Sequence, residues 1–184
     1  MVASEIANVG SADVDHVARM MFVSFRELSP DWLPTLSVAR EKVADLLRTE
    51  CFSRVMRDET GEIVGAISGV HAYGRLWELH PLVVAPHCRR RGYGRSLVED
   101  LERHVSANGG LTLQLGTSDE SDRTSLFGRD LYPDIPCFIS RLRATPEHPL
   151  DFYRRLGFAV VGLIPDAEGP GRPSILMAKA VRHR

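Results

Sequence analysis

The stretch VVAPHCRRRGYGRSLVEDLERHV, residues 83–105, most constrains the fold, because it joins an apolar run to a helical pattern through a strongly basic turn. Three consecutive arginines precede two closely spaced glycines in that turn: Arg89, Arg90, Arg91, Gly92 and Gly94. Positive charge at a helix start opposes the helix dipole, and adjacent arginines repel one another. A bound anion relieves both effects, and glycines let it approach the unpaired N–H groups of the first helical turn. The turn is therefore a candidate phosphate site.

The segments on either side of the turn predict a strand–helix–strand unit. LWELHPLVV, residues 76–84, is a long apolar run typical of a strand. A helix is predicted from about Gly94 to Asn108, and LTLQLG, residues 111–116, is predicted to be the next strand. Such a unit places the N-terminus of its helix at the carboxyl end of the first strand, where α/β sheets bind ligands. The arginines and glycines lie at that position.

Two widespread phosphate motifs do not fit this turn. A P-loop requires a terminal Gly-Lys-Ser/Thr, which the stretch lacks. The dinucleotide-binding spacing G-x-G-x-x-G fails at Leu97, where the third glycine would stand. The alternative interpretation is a solvated basic turn with a glycine-assisted helix start.

Composition narrows the class of protein. The 184 residues are 43% apolar and 26% charged, close to the globular average, which predicts one domain over residues 1–184. A net charge of −1 argues against a nucleic-acid partner, which would need a basic surface. Cys51, Cys88 and Cys137 are too widely spaced for a zinc or disulfide pattern and indicate a reducing compartment. No secretory signal is visible, and no apolar run reaches the roughly 20 residues of a membrane span, so we expect a cytoplasmic protein with no membrane partner.

The remaining periodicities predict further helices and strands along the chain. Helices are predicted over residues 11–28, 37–49 and 149–156, a hairpin over 52–70, and two closing strands in FAVVGLI and SILMAKAV. Residues 117–146 are polar and rich in Asp, Arg and Pro, and are predicted to be irregular.

RRRGYG, residues 89–94, fits the R-x-x-G-x-G/A signature of the GNAT N-acetyltransferase superfamily, between a strand ending in VV and a helix. Further segments sharpen the likeness: WELHPLVV at 77–84, GRSLVEDLERHVSANGGLTLQLGTSDE at 94–120, DLYPD near 130, and EHPLDFYRRLGFAVVGLIPDAEGPGRPSILMAKAV at 147–181. Together they resemble the aminoglycoside 6'-N-acetyltransferases of the chromosomal enterococcal type. The resemblance covers roughly residues 74–181.

This resemblance implies the α/β (α+β) GNAT fold, a single mixed and mostly antiparallel sheet with a splayed central strand pair, flanked by helices. It implies acetyl-CoA as the acetyl donor and no metal, and it places a bulge in the strand that contains Pro81, with a freed N–H near Leu82 directed at the thioester oxygen. The residues expected to bind the cofactor are Leu82, Val83, Val84, Arg89, Arg90, Arg91, Gly92, Tyr93, Gly94, Arg95 and Ser96.

Two residues are candidates for proton transfer during acetylation. Glu78 lies on one face of a mostly apolar strand, and the resemblance implies that it removes the ammonium proton of the acceptor; the alternative is an edge carboxylate paired with an arginine. Tyr153 stands in the F-Y-x-x-x-G-F context that the superfamily uses to protonate the leaving thiolate. The alternative interpretation of Tyr153 is an aromatic core residue at helical spacing.

The predicted acceptor is a polycationic small-molecule amine. Carboxylates outnumber arginines in residues 117–134, and that charge would attract an aminoglycoside, a polyamine or a basic peptide, unless it is simply solvated loop charge. The residues expected to bind the acceptor are Trp77, Glu78, His80, Asp119 and Asp122. A lone histidine such as His80 also fits a packed structural role. The resemblance implies a homodimer and a 6'-amine acceptor; the other hypotheses are acetylation of a different amine and a non-catalytic acyl-CoA binding module.

Overall fold

The computed structural model describes residues 4–26, 29, 31–48 and 51–181. Its helices are α1 Val14–Phe25, α2 Leu36–Arg48, α3 Tyr93–Ala107, α4 Ile135–Ser140 and α5 Leu150–Arg155, with short 3-10 turns at Ser11–Asp13 and Pro86–Cys88. Its strands are β1 Glu5–Asn8, β2 Phe52–Arg57, β3 Ile63–Tyr73, β4 Leu76–Val84, β5 Thr112–Ser118, β6 Ala159–Ile164 and β7 Ser174–Ala180.

The strands form one seven-stranded mixed sheet in the order β1-β2-β3-β4-β5-β7-β6, which confirms the predicted fold class. The splay of the central strand pair stays a prediction. The chain divides into two compact units: the first runs to Leu113 and includes Val181, and the second is Gln114–Ala180. The assignment of residues 1–184 to one domain therefore also stays a prediction.

Strands β1 to β4 of the first unit form an antiparallel meander. The predicted hairpin over 52–70 is confirmed, and its turn is built by Asp58, whose carboxylate accepts hydrogen bonds from the N–H and the hydroxyl of Thr60 at 2.9 and 2.7 Å. Helices α1 and α2 pack on each other and bury residues such as Met21 and Val43. The predicted ends of these two helices, at residues 27–28 and 49, lie outside the described residues.

The predicted strand–helix segment is confirmed within one residue at each end, as β4 and α3. Leu97 and Leu101 of α3 are fully buried against β3. At the facing positions β3 has Gly65 and Gly69, where a Cβ atom would lie only 3.0 Å from Leu97 and 2.4 Å from Leu101, respectively. The glycines therefore allow α3 to approach the sheet closely, which sets the position of its N-terminus.

In the second unit, the two predicted closing strands are present as β6 and β7, which pair antiparallel. The segment 117–146 is less irregular than predicted, because Asp134 accepts a hydrogen bond from the N–H of Cys137 and so caps α4. The loop before α4 is joined to the β6–β7 loop at Gly128, whose N–H donates to the carbonyl of Gly171 at 2.8 Å. Among the helices that the described residues form, none is long and apolar enough to cross a membrane.

Candidate functional site

The basic turn adopts the backbone conformation of an anion cradle. Arg90 and Gly92 have positive φ angles of 63° and 90°, and Gly92 is the N-cap of α3. Alternation of ordinary and left-handed residues turns successive N–H groups toward one side of the chain, which forms a concave anion site. The side chains of Arg89, Arg90 and Arg91 are all exposed around it.

The start of α3 supplies the donors for such a site. The N–H of Ser96 donates to the carbonyl of Gly92 at 3.1 Å, the first bond of the helix. The preceding N–H groups of Tyr93, Gly94 and Arg95 have no helical acceptor, as in any first turn. A Cβ atom placed on Gly92 would meet nothing within 4 Å, so the approach to these groups is open. The turn therefore fits a diphosphate group, with N–H donors, helix dipole and guanidinium charge at one place.

Arg89 and Arg95 also make contacts within the protein. The Nε of Arg89 donates to the carbonyl of Val84 at 3.3 Å, which links the turn to the end of β4. Arg95 lies 3.8 Å from Glu99 in an exposed ion pair along α3. An exposed pair of this length contributes little to stability, so Arg95 remains available to an anion.

Strand β4 carries the predicted bulge. Ile67 pairs with Leu82 and Gly69 pairs with Leu79, so Ser68 of β3 faces both His80 and Pro81. Proline has no N–H to donate to the ladder and is found at such irregularities. The register beyond the bulge leaves Leu82 and Val84 half-buried and Val83 buried. The freed N–H near Leu82 stays a prediction.

The two faces of β4 have different surroundings. Trp77 is only 8% exposed, and its ring lies 5.6 Å from that of His71 and 5.3 Å from that of His104 on α3. Glu78 and His80 point to the opposite face, where Glu78 is half-buried and His80 is exposed. Trp77 is thus part of the packing against α3, and we do not retain it as an acceptor contact.

His80 has an aromatic neighbour that the sequence analysis missed. The ring of Trp32 lies 5.4 Å away, edge to face, and the ring of Phe25 lies 4.7 Å from that of Trp32. The surrounding atoms desolvate His80 and lower its pKa; the charge of Glu78 opposes that shift, and Lys42 adds to it. A neutral imidazole can accept a hydrogen bond. The only sequence signal for Trp32 was a large aromatic residue within the helix break SPDWLP.

Tyr153 lies in the second unit, on the predicted short helix α5. It is 8% exposed and packs between the rings of Phe152 and Phe158, at 5.0 and 5.6 Å. Burial raises the pKa of its hydroxyl, so the group keeps its proton at neutral pH. A protonated phenol can donate a hydrogen bond or a proton. The position is compatible with both the acid role and the core role.

The acidic segment 117–134 separates into buried and exposed carboxylates. Asp119 is 1% exposed, and its oxygens accept hydrogen bonds from the backbone of Ser121, Arg123 and Thr124 and from the Thr124 hydroxyl. Hydrogen bonds from the loop therefore occupy this buried carboxylate. Asp119 is not a contact for the acetyl-accepting substrate. Asp122 is exposed and adopts a φ of 54°. Within the described parts of the chain, no three His, Cys, Asp or Glu side chains gather as a metal site would require.

Comparison with known proteins identifies the protein family to which the chain belongs. Residues 18–127 match the model of the acetyltransferase (GNAT) family, and the chain belongs to that family. It is an acetyl-CoA-dependent N-acetyltransferase, as the RRRGYG signature predicted. No curated protein sequence matches the chain significantly.

Several solved structures are similar over nearly the whole chain. An aminoglycoside 6'-N-acetyltransferase complexed with coenzyme A is 32% identical, with a TM-score of 0.86 and 98% of each chain covered. The aminoglycoside 6'-N-acetyltransferase from Enterococcus faecium is also 32% identical, with a TM-score of 0.83 and the same coverage. An aminoglycoside 6'-acetyltransferase of type Ii is 30% identical, with a TM-score of 0.71, and covers 98% of this chain and 99% of its own. These similarities confirm the predicted resemblance.

Proposed function

We propose that this enzyme transfers an acetyl group from acetyl-CoA to the 6'-amine of an aminoglycoside. The observation that carries the proposal is the 32% identity over 98% of both chains shared with an aminoglycoside 6'-N-acetyltransferase. Other acetyltransferases of the same fold, such as a ribosomal-protein-S18-alanine N-acetyltransferase at 16% identity, are similar in fold alone. The difference in identity favours an aminoglycoside over a protein acceptor.

The basic turn is proposed to bind the donor. The thioester of acetyl-CoA supplies the acyl carbon that the amine attacks. The first N–H groups of α3, the backbone around Gly92 and the guanidinium groups of residues 89–91 would hold the diphosphate. Residues 82–84 of β4 would line the approach of the pantetheine arm.

Glu78 is proposed as the general base. An amine must lose its ammonium proton before it can attack a carbonyl carbon, and a carboxylate can take that proton directly or through a water molecule. Glu78 is half-buried beside the bulge of β4, and its charge acts on His80. His80, whose pKa is lowered by desolvation above all, is proposed as a neutral acceptor of a hydrogen bond from the same substrate.

Tyr153 is proposed as the general acid. The leaving thiolate needs a proton, and a tyrosine phenol, with an ordinary pKa of about 10, carries one at neutral pH. Its position within α5 and its contacts with two aromatic rings limit the motion of the side chain. A donor whose side chain is already restricted loses little conformational entropy when it transfers its proton.

Exposed carboxylates of the second unit are proposed to attract the polycation. Asp122 and Asp130 are exposed, as are Asp166 and Glu168 in the β6–β7 loop. Charges at the surface raise the local concentration of an oppositely charged substrate, and salt weakens this effect. Capture should therefore weaken as ionic strength rises.

A thiol-release assay with a panel of amines tests the function. Aminoglycosides with a 6'-amine should be acetylated fastest, while analogues with a 6'-hydroxyl should bind without turnover because the nucleophile is missing. Mass spectrometry of the product should place one acetyl group on the 6'-nitrogen. Efficient acetylation of spermidine or of a lysine peptide, with no turnover of kanamycin-like substrates, would contradict the aminoglycoside proposal.

We further propose that the enzyme is a cytoplasmic homodimer and that its activity confers aminoglycoside resistance. Cys51, Cys88 and Cys137 are not joined in disulfide bonds, which fits a reducing compartment. Sedimentation equilibrium should give twice the chain mass of 20.5 kDa. Expression in a susceptible bacterium should raise the inhibitory concentration of 6'-amino aminoglycosides but not that of 6'-hydroxyl analogues.

A further inference from the structure

Four side chains of the first unit form an aromatic cluster, and only one of them, His80, has a role in the proposed function. Its rings are those of Phe25, Trp32 and His80, with centroids 4.7 and 5.4 Å apart and interplanar angles of 76° and 68°. The ammonium group of Lys42 on α2 lies 5.4 Å from the centre of the Trp32 ring. Trp32 thus contacts two rings and one ammonium group, which restrict the motion of its side chain.

The aromatic cluster lies on the same face of β4 as Glu78, the proposed base. His80 lies two residues from Glu78, on the face of β4 opposite to Trp77 and α3. Trp32 is only partly buried and His80 is exposed, so part of this aromatic surface faces solvent. If Glu78 is the base of the proposed function, an amine in reach of it lies beside this surface. The inference below therefore rests on the proposed function.

The charge of Lys42 decides what kind of amine the surface favours. The negative face of an indole ring attracts cations, and Lys42 already provides one. A second ammonium group at the same ring would be repelled by Lys42. The carbon skeleton of a saturated ring, in contrast, gains contact with a large and rigid apolar surface.

We infer that Trp32 is a specificity-determining residue of the acceptor site, which together with His80 and Lys42 selects an amine carried on a saturated ring over a linear polyamine. The ring-bearing amine belongs to the amino sugar class. The contact acts on binding, since it is made with parts of the acceptor that do not react. Its loss should appear mainly in KM.

The kinetic test compares kcat/KM for a 6'-amino aminoglycoside and for spermidine in matched variants. Trp32→Ala should lower the ring-to-linear ratio about 10-fold or more, and Trp32→Phe should restore most of it. Lys42→Met should lower the ratio about two- to fivefold by admitting the linear polyamine. Trp77→Phe, a tryptophan change on the other face of β4, should leave the ratio unchanged. Thermal melts of all variants separate a change in specificity from a change in folding.

The outcomes separate this inference from the proposed function. A wild-type enzyme that acetylates 6'-amines, with the same ring-to-linear ratio in folded Trp32→Ala, would overturn the inference and leave the function intact. Turnover of other amino sugars but not of 6'-amines would overturn the function, while a drop in Trp32→Ala of the kcat/KM ratio between those amino sugars and spermidine would still support the inference. Turnover of linear amines alone would overturn both.

A binding measurement gives a readout independent of turnover. The chain has two tryptophans, so Trp32 is the single indole fluorophore in the Trp77→Phe variant. Titration of this variant with a 6'-amino aminoglycoside, in the presence of coenzyme A without an acetyl group, should change its emission in a saturable way. Spermidine at the same concentration should not. An aminoglycoside that is a good substrate but leaves the emission unchanged would overturn the contact.

Discussion

Asp119 accepts two hydrogen bonds from Thr124, one from its backbone N–H and one from its hydroxyl, both at 2.7 Å. The same carboxylate accepts further bonds from the N–H groups of Ser121 and Arg123, at 3.3 and 2.9 Å. A buried carboxylate with this many donors organises the loop around it. It is therefore distinct in function from exposed Asp122, which lies three residues further along the chain.

Asp119→Asn and Asp122→Asn should separate folding from substrate capture. Replacement of the charged acceptor in Asp119→Asn should lower the free energy of unfolding by about 2 kcal/mol. Asp122→Asn should leave the thermal midpoint unchanged, because asparagine tolerates the left-handed backbone at this position. It should instead raise KM for a polycationic amine at constant kcat. Equal destabilisation by both variants in chemical denaturation would contradict this division.

Gly92→Glu should strongly weaken the binding of acetyl-CoA. A glutamate in the cradle repels the diphosphate, and we expect the Kd from calorimetry to rise by about 10²-fold or more. Gly61→Glu is a matched control: Gly61 has a φ of 86° and, like Gly92 at 90°, meets nothing within 4 Å of a Cβ atom, but it lies in the β2–β3 turn. Both variants carry the same backbone strain of about 1–2 kcal/mol. A similar Kd in the two variants would move the cradle elsewhere.

Tyr153→Phe should lower kcat by about 10²-fold and leave the Kd for acetyl-CoA nearly unchanged. The substitution removes one hydroxyl group and keeps the ring contacts with Phe152 and Phe158. Single-turnover kinetics should show that the chemical step is slowed. Unaltered turnover, with an unchanged thermal midpoint, would assign Tyr153 to the core.

Glu78→Gln should lower kcat/KM by about 10²- to 10⁴-fold at neutral pH. The deficit should shrink as pH rises, because the solvent then deprotonates the amine that Glu78 otherwise serves. The pH profile of kcat/KM for both proteins measures this. Glu62→Gln, at an exposed position in the β2–β3 turn, is a control for the change in net charge. A deficit in Glu78→Gln that is constant from neutral to alkaline pH would contradict a base role.

His148 should make the fold sensitive to acid. It is 4% exposed, its Nδ1 accepts a hydrogen bond from the N–H of Leu150, and its Nε2 lies 3.3 Å from the carbonyl of Ser118. Desolvation is the main cause of its lowered pKa, which the charge of Asp119 partly opposes. The unfolded chain, with a histidine pKa of about 6.5, thus binds a proton more readily than the folded one.

Stability should consequently be lost as pH falls from about 6.5 toward the lower folded-state pKa, since the unfolded state takes up the proton first. His148→Gln keeps an acceptor and a donor but does not titrate, so its thermal midpoint should fall less over the same range. The difference between the two proteins cancels the contributions of His80 and His104, whose pKa values are also lowered by desolvation. Thermal midpoints that fall equally in the two proteins across this pH range would contradict the prediction.

Local features of the sequence predicted the parts of the protein that depend on neighbours along the chain. The turn between β4 and α3 could be predicted because arginines, glycines and a helix start are adjacent in residues 89–94. The bulge at Pro81 followed from the missing N–H together with the family resemblance. Alternation along β4 already separates Trp77 from Glu78, a signal that the prediction of Trp77 as an acceptor contact did not use.

The sequence by itself thus predicted most of the helices and strands, the basic turn before α3 and, through the family resemblance, the class of chemistry. Strand β1 and helix α4 were not predicted, because neither has a clear periodicity of its own. Only the tertiary structure decided which charges and rings are available to a substrate. Composition cannot show that Asp119 is enclosed by its own loop or that Trp32 reaches His80 across the chain. The physical reason is that burial and ring contacts depend on which elements pack together, and segments such as SPDWLP and the loop after β5 carry no periodicity that specifies their packing.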